Sequence, residues 1–447
     1  MPLAGLPIGK RSALLLDKEN MTKYSISPMS SLYELYLRHP RISTDSRRIE
    51  PDSVFFALRG ASFDGNRFAA DALEKGAAYA VVDDPSLPNT RPDKADRLIV
   101  VDDALQTLQT LAREHRRELG LPILAITGSN GKTTTKELVS RVLAEKYEVY
   151  ATRGNLNNHI GVPLTLLAMT RDVEFGIVEM GASACGEIAL LCSIAEPNYG
   201  IVTNIGRAHL EGFGGPEGVR RGKGELYDWL ARTGGRVFVP ANDPVLMSMA
   251  AERETLAAEC YPTPLADGVE HHLEGDYNRF NVAAAVAVGR YFGVDDERIR
   301  YAVGSYRPDN HRSQKIRTGQ NTLILDCYNA NPSSMQASLV NFRQEPLESC
   351  TRKILILGDM LELGDWSDAE HRHIISLAAE IPDARILLVG PHFAKAYRSL
   401  ESRPADTTLY PSQEALAAEL RKHPVSQALI LVKGSHSIGL ERLADLL

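Results

Sequence analysis

The sequence is poor in cysteine and has no long apolar run and no low-complexity tract. Its 447 residues include five cysteines, an odd number without a Cys-x-x-Cys pair, which disfavours a disulfide scaffold and a zinc site and favours a reducing cytoplasm. No stretch reaches membrane-spanning length, so we expect no membrane span. The net charge of −7 argues against bulk nucleic-acid binding.

The first twenty residues differ in pattern from the rest of the chain. Their one apolar run, residues 13–16, is cut by Asp17 and is too short for the core of a signal peptide. Met21 is a second possible initiator. We expect residues 1–20 to be a disordered extension.

The remaining chain alternates strand and helix patterns, which predicts an α/β fold, and its length predicts about three domains. We expect a small α/β domain over 21–119, a central domain with a mainly parallel sheet over 120–308 and a Rossmann-like domain over 309–447. The clearest strand candidates are 54–58, 78–82, 98–101, 123–127, 175–180, 199–204, 322–326, 353–358, 385–390 and 428–434. No G-x-G-x-x-G follows the last four, so a dinucleotide site is not supported.

A phosphate-binding loop is predicted at Thr127-Gly-Ser-Asn-Gly-Lys-Thr-Thr134, between an apolar strand and an amphipathic helix. In such a loop, backbone N–H groups bind phosphate oxygens, Lys132 can neutralise the β and γ phosphates, and the Thr133 hydroxyl can bind Mg²⁺. The first glycine, Gly128, stands two residues later than in the general pattern G-x-x-x-x-G-K-[ST].

Two polar residues follow buried strands of the same predicted sheet. Glu179 ends one strand and His209 comes shortly after the next. Ligands of parallel sheets bind at the carboxyl ends of the strands, so we expect both side chains to lie near Lys132. They are candidate metal ligands, although Mg²⁺ prefers oxygen, and a loop histidine by itself is more often a hydrogen-bonded structural residue.

Other features are ambiguous by themselves. The asparagine-rich turn at 154–163 could bind a polar substrate, but turn formation alone explains asparagine and glycine. Lys223 lies on a predicted helix over 217–230, and a lone lysine on a helix is typical of a solvent-exposed face.

Taken together, the motifs and their order along the chain resemble those of the ATP-dependent Mur ligases of cell-wall synthesis. The phosphate loop is similar to that superfamily's version, displaced glycine included. The other motifs are Gly154-Asn-Leu-Asn-Asn-His-Ile-Gly-Val-Pro-Leu164, Ala208-His-Leu-Glu-Gly-Phe-Gly214, Tyr328-Asn-Ala-Asn-Pro332, Leu357-Gly-Asp-Met-Leu-Glu-Leu-Gly364 and Lys433-Gly-Ser435. The resemblance spans about residues 43–447 and is strongest to the members that join D-alanyl-D-alanine to UDP-N-acetylmuramoyl-tripeptide.

The resemblance implies a uridine-nucleotide-binding first domain, a central ATPase domain and a third domain that brings the amine substrate. It implies that the protein is a cytoplasmic monomer that makes a peptidoglycan precursor through an acyl phosphate. The ATP site would comprise Gly128, Ser129, Asn130, Gly131, Lys132, Thr133, Thr134, Asn278 at the adenine, Asp326 at the ribose and Arg312 at the phosphates.

The resemblance also implies the metal and substrate contacts. Magnesium ions, two in number, would be held by Thr133, Glu179, His209 and Lys223, the last as a carbamate formed with CO₂. Carbamate formation needs a neutral amine, hence a pKa well below the usual value of about 10.4. Lys132, Glu179, His209 and Lys223 would be catalytic. The substrates would contact Ser43, Thr44, Asp45, Ser46, Arg47, Asp64, Asn66, Asn155, Asn157, Asn158, Asn329, Asn331, Lys433 and Ser435.

Two departures and two alternatives remain at this point. His436 stands where many relatives have arginine, and Pro308-Asp-Asn-His-Arg312 lacks the glycine-arginine form expected before the linker. The chain could be another ligase of the superfamily, such as the one adding the third residue or a folylpolyglutamate synthase; the motif Tyr328-Asn-Ala-Asn-Pro332 argues against both. It could also be a regulatory protein that hydrolyses ATP without ligation.

Overall fold

The computed structural model describes residues 28–273, 275–307 and 314–447. Within these ranges the chain builds three separate sheets, each covered by helices, which confirms the predicted three-domain α/β fold. The exact domain boundaries stay predictions. The extension at 1–20 and Arg312 lie outside the described residues. Among the helices described, none combines the length and apolar character needed to cross a membrane.

The N-terminal sheet has four parallel strands in sequential order. They are β1 (Arg41–Ser43), β2 (Ser53–Phe56), β3 (Tyr79–Val82) and β4 (Leu98–Val100). The helices are α1 (Pro28–Arg38), α2 (Ala69–Glu74), α3 (Leu87–Thr90) and α4 (Ala104–Leu119), with 3₁₀ turns at Gly65–Phe68 and Ala95–Arg97. Asp103 caps α4 as predicted, because its carboxylate accepts the Gln106 N–H at 2.8 Å.

The central sheet has six parallel strands in the order β10-β9-β8-β5-β7-β6. They are β5 (Ile123–Thr127), β6 (Val149–Ala151), β7 (Phe175–Glu179), β8 (Tyr199–Val202), β9 (Arg236–Pro240) and β10 (Ala257–Tyr261). The helices are α5 (Lys132–Ala144), α6 (Gly161–Leu167), α7 (Glu187–Ala195), α8 (Leu210–Phe213), α9 (Pro216–Thr233), α10 (Pro244–Ala251), α11 (Asn278–Tyr291) and α12 (Asp296–Ser305), with a 3₁₀ turn at Thr263–Ala266.

The C-terminal sheet has the order β11-β12-β16-β13-β14-β15, with only β11 antiparallel to its neighbour among the described strands. The strands are β11 (Gln314–Arg317), β12 (Thr322–Asp326), β13 (Arg352–Gly358), β14 (Ala384–Val389), β15 (Thr407–Tyr410) and β16 (Ala428–Lys433). The helices are α13 (Pro332–Gln344), α14 (Ser367–Ala379), α15 (Pro391–Arg398) and α16 (Gln413–Lys422), with 3₁₀ turns at Gly364–Trp366, His436–Ile438 and Leu440–Leu446.

Burial explains which strands could be predicted from the sequence. The predicted strands are mostly covered on both faces, as parallel strands in an α/β fold are, and they read as nearly continuous apolar runs. The strands that were not predicted include β1, β6, β10, β11 and β15, which lie at sheet edges and are partly exposed. The sixth, β9, is buried but was not singled out.

The domains contact one another through helices and loops near the central sheet. Helix α4 of the first domain packs against α6 and α7 of the central domain. In the third domain, the turn at Gly364–Trp366 packs against α8. The carboxyl end of the central sheet therefore faces the third domain.

Candidate active site between the central and C-terminal domains

The phosphate loop turns between β5 and α5 because two glycines adopt positive φ. Gly128 has φ +140° and Gly131 has φ +81°, conformations that L side chains rarely adopt. A Cβ on Gly128 would overlap Thr203 Oγ1, and a Cβ on Gly131 would lie 2.7 Å from Asn281 Oδ1. The displaced glycine thus lies where the loop packs against Thr203, the residue after β8.

The end of β8 holds the loop in place. The Asn130 N–H donates to Asn204 Oδ1 at 3.1 Å, and Asn204 Nδ2 donates back to the Asn130 carbonyl at 2.9 Å. The Lys132 ammonium lies over the same loop and donates to the carbonyls of Gly128 at 2.7 Å and Ser129 at 3.2 Å. A lysine ammonium is therefore held at the start of α5, and helix N-termini favour anions.

Glu179 lies beside the loop because its strand, β7, pairs with β5 so that Ile126 faces Glu179. The residue is only 2% exposed. Its Oε2 accepts the Thr133 hydroxyl at 2.9 Å, and its Oε1 accepts Asn157 Nδ2 at 2.8 Å. Both oxygens of this buried carboxylate are thus held by neutral donors at the floor of the site, where a cation would stabilise the group.

These groups open into one cleft of about 740 Å³ between the central and C-terminal domains. The predicted site residues that line it are Ser129, Asn130, Gly131, Lys132, Thr133, Thr134, Asn157, Asn158, Glu179, His209, Asn278, Asp326, Asn329 and Lys433. The structure therefore brings Lys132, Glu179 and His209 together, as the strand-end argument predicts. Gly128, Asn155, Lys223, Asn331, Ser435 and the N-terminal candidates are not among the lining residues.

The C-terminal domain contributes a charged pair to the opposite wall. Strands β12 and β16 are parallel neighbours with Asp326 facing Lys433, and these side chains form an ion pair. Asp326 Oδ2 also accepts the Ser338 hydroxyl at 2.8 Å, and the Lys433 ammonium donates to the Asn329 carbonyl at 3.4 Å. The pair thereby fixes the loop after β12, which carries Asn329.

One asparagine pair links the phosphate loop directly to the C-terminal domain. Asn331 Nδ2 donates to Asn130 Oδ1 at 2.9 Å, and Asn130 Nδ2 donates to Asn331 Oδ1 at 3.4 Å. Asn331 also caps α13, since its Oδ1 accepts the Ser334 N–H at 2.9 Å. The start of α13 is therefore positioned against the phosphate loop.

One ion pair and one histidine–carboxylate contact join the same domains at the rim of the cleft. Arg207 donates to Glu370 at 2.6 Å, and Glu370 is nearly completely buried. His209, in the left-handed region with φ +53°, contacts the Glu362 carboxylate. Burial lowers the pKa of His209, and the hydrogen bond to Glu362 opposes this change.

Lys223 lies inside the protein, so the solvent-exposed interpretation of this helical lysine is wrong. It is 1% exposed, on the inner face of α9. Its ammonium donates to the Ala182 carbonyl at 3.1 Å and lies 5.1 Å from the centroid of the Phe213 ring. Burial, together with the nearby charge of Lys132, lowers the pKa of Lys223 to about 7.

Asn278 lies in the first turn of α11 at the side of the cleft. Its Oδ1 accepts Asn281 Nδ2 at 2.8 Å, and Asn281 in turn accepts the Thr135 hydroxyl of α5 at 3.0 Å. Asn278 is thus connected to the helix of the phosphate loop through one side chain.

Comparisons with known proteins agree with this arrangement. Family models match residues 40–116 (Mur ligase family, catalytic domain), 126–261 (Mur ligase middle domain) and 311–436 (Mur ligase, glutamate ligase domain). A Bacillus subtilis (strain 168) protein named UDP-N-acetylmuramoyl-tripeptide–D-alanyl-D-alanine ligase is 34% identical, over 90% of this chain and 92% of the relative. The chain belongs to the Mur ligase family.

Solved Mur ligase structures match the whole fold. A crystal structure of MurF from Acinetobacter baumannii aligns with a TM-score of 0.80 and 30% identity, over 91% of this chain and 93% of that chain. A MurF ligase from Thermotoga maritima in complex with ADP aligns with a TM-score of 0.77 and 25% identity, over 92% and 97%.

In this Mur ligase, the N-terminal candidates lie at or after the ends of neighbouring parallel strands. Ser43 ends β1, and the loop after it contains Thr44, Asp45, Ser46 and Arg47; after β2, Asp64 precedes the 3₁₀ turn Gly65–Phe68, which contains Asn66. Asp45 accepts two hydrogen bonds from the Arg47 guanidinium, both at 2.8 Å, and one from the Arg47 N–H at 3.0 Å, and these lower the pKa of Asp45 to about 2. Asn66 is buried and donates to Asp64 at 2.8 Å. Contacts of these residues with a nucleotide sugar stay predictions.

Sequence reasoning did not single out several residues that shape the site of this Mur ligase. Asn204 comes two residues after the buried strand β8, so the strand-end argument that identified Glu179 could have found it. Glu362 belongs to a motif that was recognised but given no role. Arg207 and Glu370 carried no sequence signal, because their pairing depends on how two domains meet.

Proposed function

We propose that this Mur ligase joins the terminal carboxylate of UDP-N-acetylmuramoyl-tripeptide to the amine of D-alanyl-D-alanine and converts ATP to ADP and phosphate. One observation carries the proposal. The phosphate loop, Glu179 and two residues of the C-terminal domain, Asn329 and Lys433, line a single cleft. The Bacillus subtilis relative is named for that activity, and the match covers 90% of this chain.

A carboxylate and an amine do not condense spontaneously in water, so the carboxylate is first activated. Its oxygen attacks the γ-phosphorus of ATP, the bond to the β-phosphate oxygen breaks, and ADP and an acyl phosphate form. The amine then attacks the acyl carbon and loses a proton. The tetrahedral intermediate collapses with loss of phosphate to the new peptide bond.

The chain's own residues serve the first step mainly by electrostatics. The phosphate loop presents backbone N–H groups at the start of α5, and Lys132 neutralises the phosphates as the anionic carboxylate approaches. Its ammonium already lies over the loop carbonyls. The cleft lies between two domains, and its closure would keep water from the acyl phosphate.

The residues around Glu179 fit a magnesium ion. The ion prefers oxygen ligands and is usually bound by one or two carboxylates together with substrate phosphates. The Glu179 carboxylate and the Thr133 hydroxyl supply such oxygens, and His209 lines the same cleft. Among the described residues, no group of three or more His, Cys, Asp or Glu side chains forms a metal cage. Bound magnesium would neutralise phosphate charge, and two ions are expected.

Lys223 is proposed to carry a carbamate. With a pKa of about 7, about half of its amine is neutral near neutral pH, so its nitrogen can attack CO₂ and lose a proton. The cation becomes an anion that could hold the second magnesium ion.

The remaining roles follow the family pattern. We assign Asn278 to the adenine and Asp326 to the ribose. The residues proposed to receive D-alanyl-D-alanine are Asn329, Asn331, Lys433 and Ser435. The nucleotide sugar is assigned to the loops after β1 and β2. Use of ATP favours the cytoplasm, where the five free cysteines would stay reduced, and we expect a monomer.

The test is mass spectrometry of the products formed from ATP, D-alanyl-D-alanine and UDP-N-acetylmuramoyl-tripeptides that differ in their third residue. We expect ligated product and ADP in equal amounts, with ADP release dependent on both other substrates. Lys132→Ala should abolish product and ADP together, because no other phosphate-loop side chain replaces the ammonium.

Lys146→Ala is the matched control, since Lys146 lies beyond the other end of α5 and donates to the carbonyls of Phe292 and Gly293. It should retain activity. ADP release without ligated product would contradict the proposal and favour an ATP-hydrolysing regulatory protein.

A further inference from the structure

Lys136 is a buried lysine one turn after Lys132 that the proposed reaction does not use. It is 2% exposed, on the inner face of α5. Its ammonium donates to the Thr152 carbonyl at 2.6 Å and lies 2.8 Å from the Glu137 carboxylate. Burying an ammonium is unfavourable unless its partners are well placed, and an apolar side chain would fill this position without that penalty.

The lysine changes the hydrogen bonding where β6 and β7 separate. In a parallel ladder, the N–H of a residue donates to the carbonyl of one residue on the partner strand. The carbonyl of the same residue accepts the N–H of the partner-strand residue two positions further along. The Thr152 N–H donates to the Ile177 carbonyl at 3.0 Å, so the regular ladder would continue from the Glu179 N–H to the Thr152 carbonyl. Instead, Lys136 binds that carbonyl, and the Glu179 N–H donates to the Thr152 hydroxyl at 3.0 Å.

This exchange ends the pairing and directs the chain over Glu179. Strand β6 stops at Ala151, and the following loop returns so that the Gly181 N–H donates to the Asn157 carbonyl at 2.8 Å. The Asn157 side chain then donates to Glu179 Oε1. Both the backbone and the carboxylate of Glu179 are therefore held by the segment whose path Lys136 fixes.

We infer that Lys136, acting through Thr152, is a positioning residue that holds Glu179 and the Asn157 loop in the geometry that binds magnesium nucleotide. The inference rests on the role proposed for Glu179. Losing the Lys136 ammonium would free the Thr152 carbonyl to accept the Glu179 N–H, which would move Glu179 relative to Thr133.

The experiment measures ADP binding by calorimetry, with Mg²⁺ and with EDTA, on the full chain. Lys136→Met and Thr152→Val should bind ADP normally in EDTA but lose roughly 10-fold or more of the strengthening that Mg²⁺ gives, the usual effect of removing a group that orients a metal ligand. Thr152→Ser keeps the hydroxyl and should behave as the wild type, which a purely steric role of Thr152 would not predict.

Two reference variants separate the possible outcomes. Lys146→Met removes a lysine elsewhere near the same helix and should leave both affinities unchanged. If Glu179→Gln loses the Mg²⁺ effect while Lys136→Met and Thr152→Val keep it, the positioning role is refuted and the proposed function stands. If Glu179→Gln also keeps it, the proposed metal role of Glu179 fails, and the inference fails with it. Equal weakening in Mg²⁺ and in EDTA would refute the inference in favour of a general structural role.

Discussion

The burial of Lys223 predicts a pH dependence of stability that Lys223→Met removes. The substitution keeps an unbranched side chain of similar length and deletes the ammonium. In the folded chain the pKa of Lys223 is lowered from 10.5 to about 7, chiefly by burial. In the unfolded chain the amine returns to its ordinary range, so that folding releases a proton wherever the pH lies between these two values.

The magnitude follows from this difference. Protonation of a buried amine destabilises the folded state fully below pH 7, and the effect is relieved as the pH rises toward 10.5. The free energy of unfolding of the wild type, relative to Lys223→Met, should therefore rise by about 1.4 kcal/mol per pH unit within that window. From about pH 8 to about pH 9 the free energy of unfolding of the wild type should rise by about 1.3 kcal/mol relative to that of Lys223→Met.

The assay is urea unfolding of both proteins at these pH values in CO₂-free buffer without ligands, because carbamate formation would itself change the stability. Lys146→Met controls for the loss of a lysine at an exposed site. If the wild type and Lys223→Met show parallel pH dependences, the Lys223 amine keeps its ordinary pKa in the folded chain. The basis for carbamate formation would then be removed.

Two further substitutions test the contacts that fix the C-terminal domain. Arg207→Ala should lower the melting temperature, because it leaves the buried Glu370 carboxylate without its cation. Adding Glu370→Gln removes that charge and should restore about 1 kcal/mol or more of the free energy of unfolding. A double variant no more stable than Arg207→Ala would contradict this. Gly390→Ala should destabilise by about 1–3 kcal/mol in calorimetry, because Gly390 has φ +118° and a Cβ there would overlap Asp359. Gly319→Ala has open space and should be neutral; equal melting temperatures would refute the strain argument.

The site could be predicted in part because its central pieces are local. The phosphate loop is one continuous segment whose strand, turn and helix are visible in the order of residues. Glu179 could be added because the carboxyl ends of parallel strands meet at one edge, and the register of Ile126 against Glu179 places it there. The hypothesis about His209 needed the same argument, and the structure adds its contact with Glu362.

The rest depends on contacts between segments far apart in the chain. The edge strands β10 and β11 were not predicted because they are partly exposed, and their sequences therefore mix polar and apolar residues. The pairing of Asn130 with Asn331 joins two domains, so no local pattern indicates it.

The sequence by itself determined the three-domain α/β fold, the phosphate loop and the family, because buried parallel strands and glycine turns leave a local pattern of residue types. Only the tertiary structure decided how the functional groups are used. The pattern around Lys223 favoured an exposed lysine, whereas packing of α9 against the central sheet buries it and lowers its pKa. Nothing in the local pattern indicates a role for Lys136, which depends on the end of the ladder between β6 and β7, where its ammonium donates to the Thr152 carbonyl. In both cases the physical reason is the same: desolvation and hydrogen-bond partners come from residues distant in sequence.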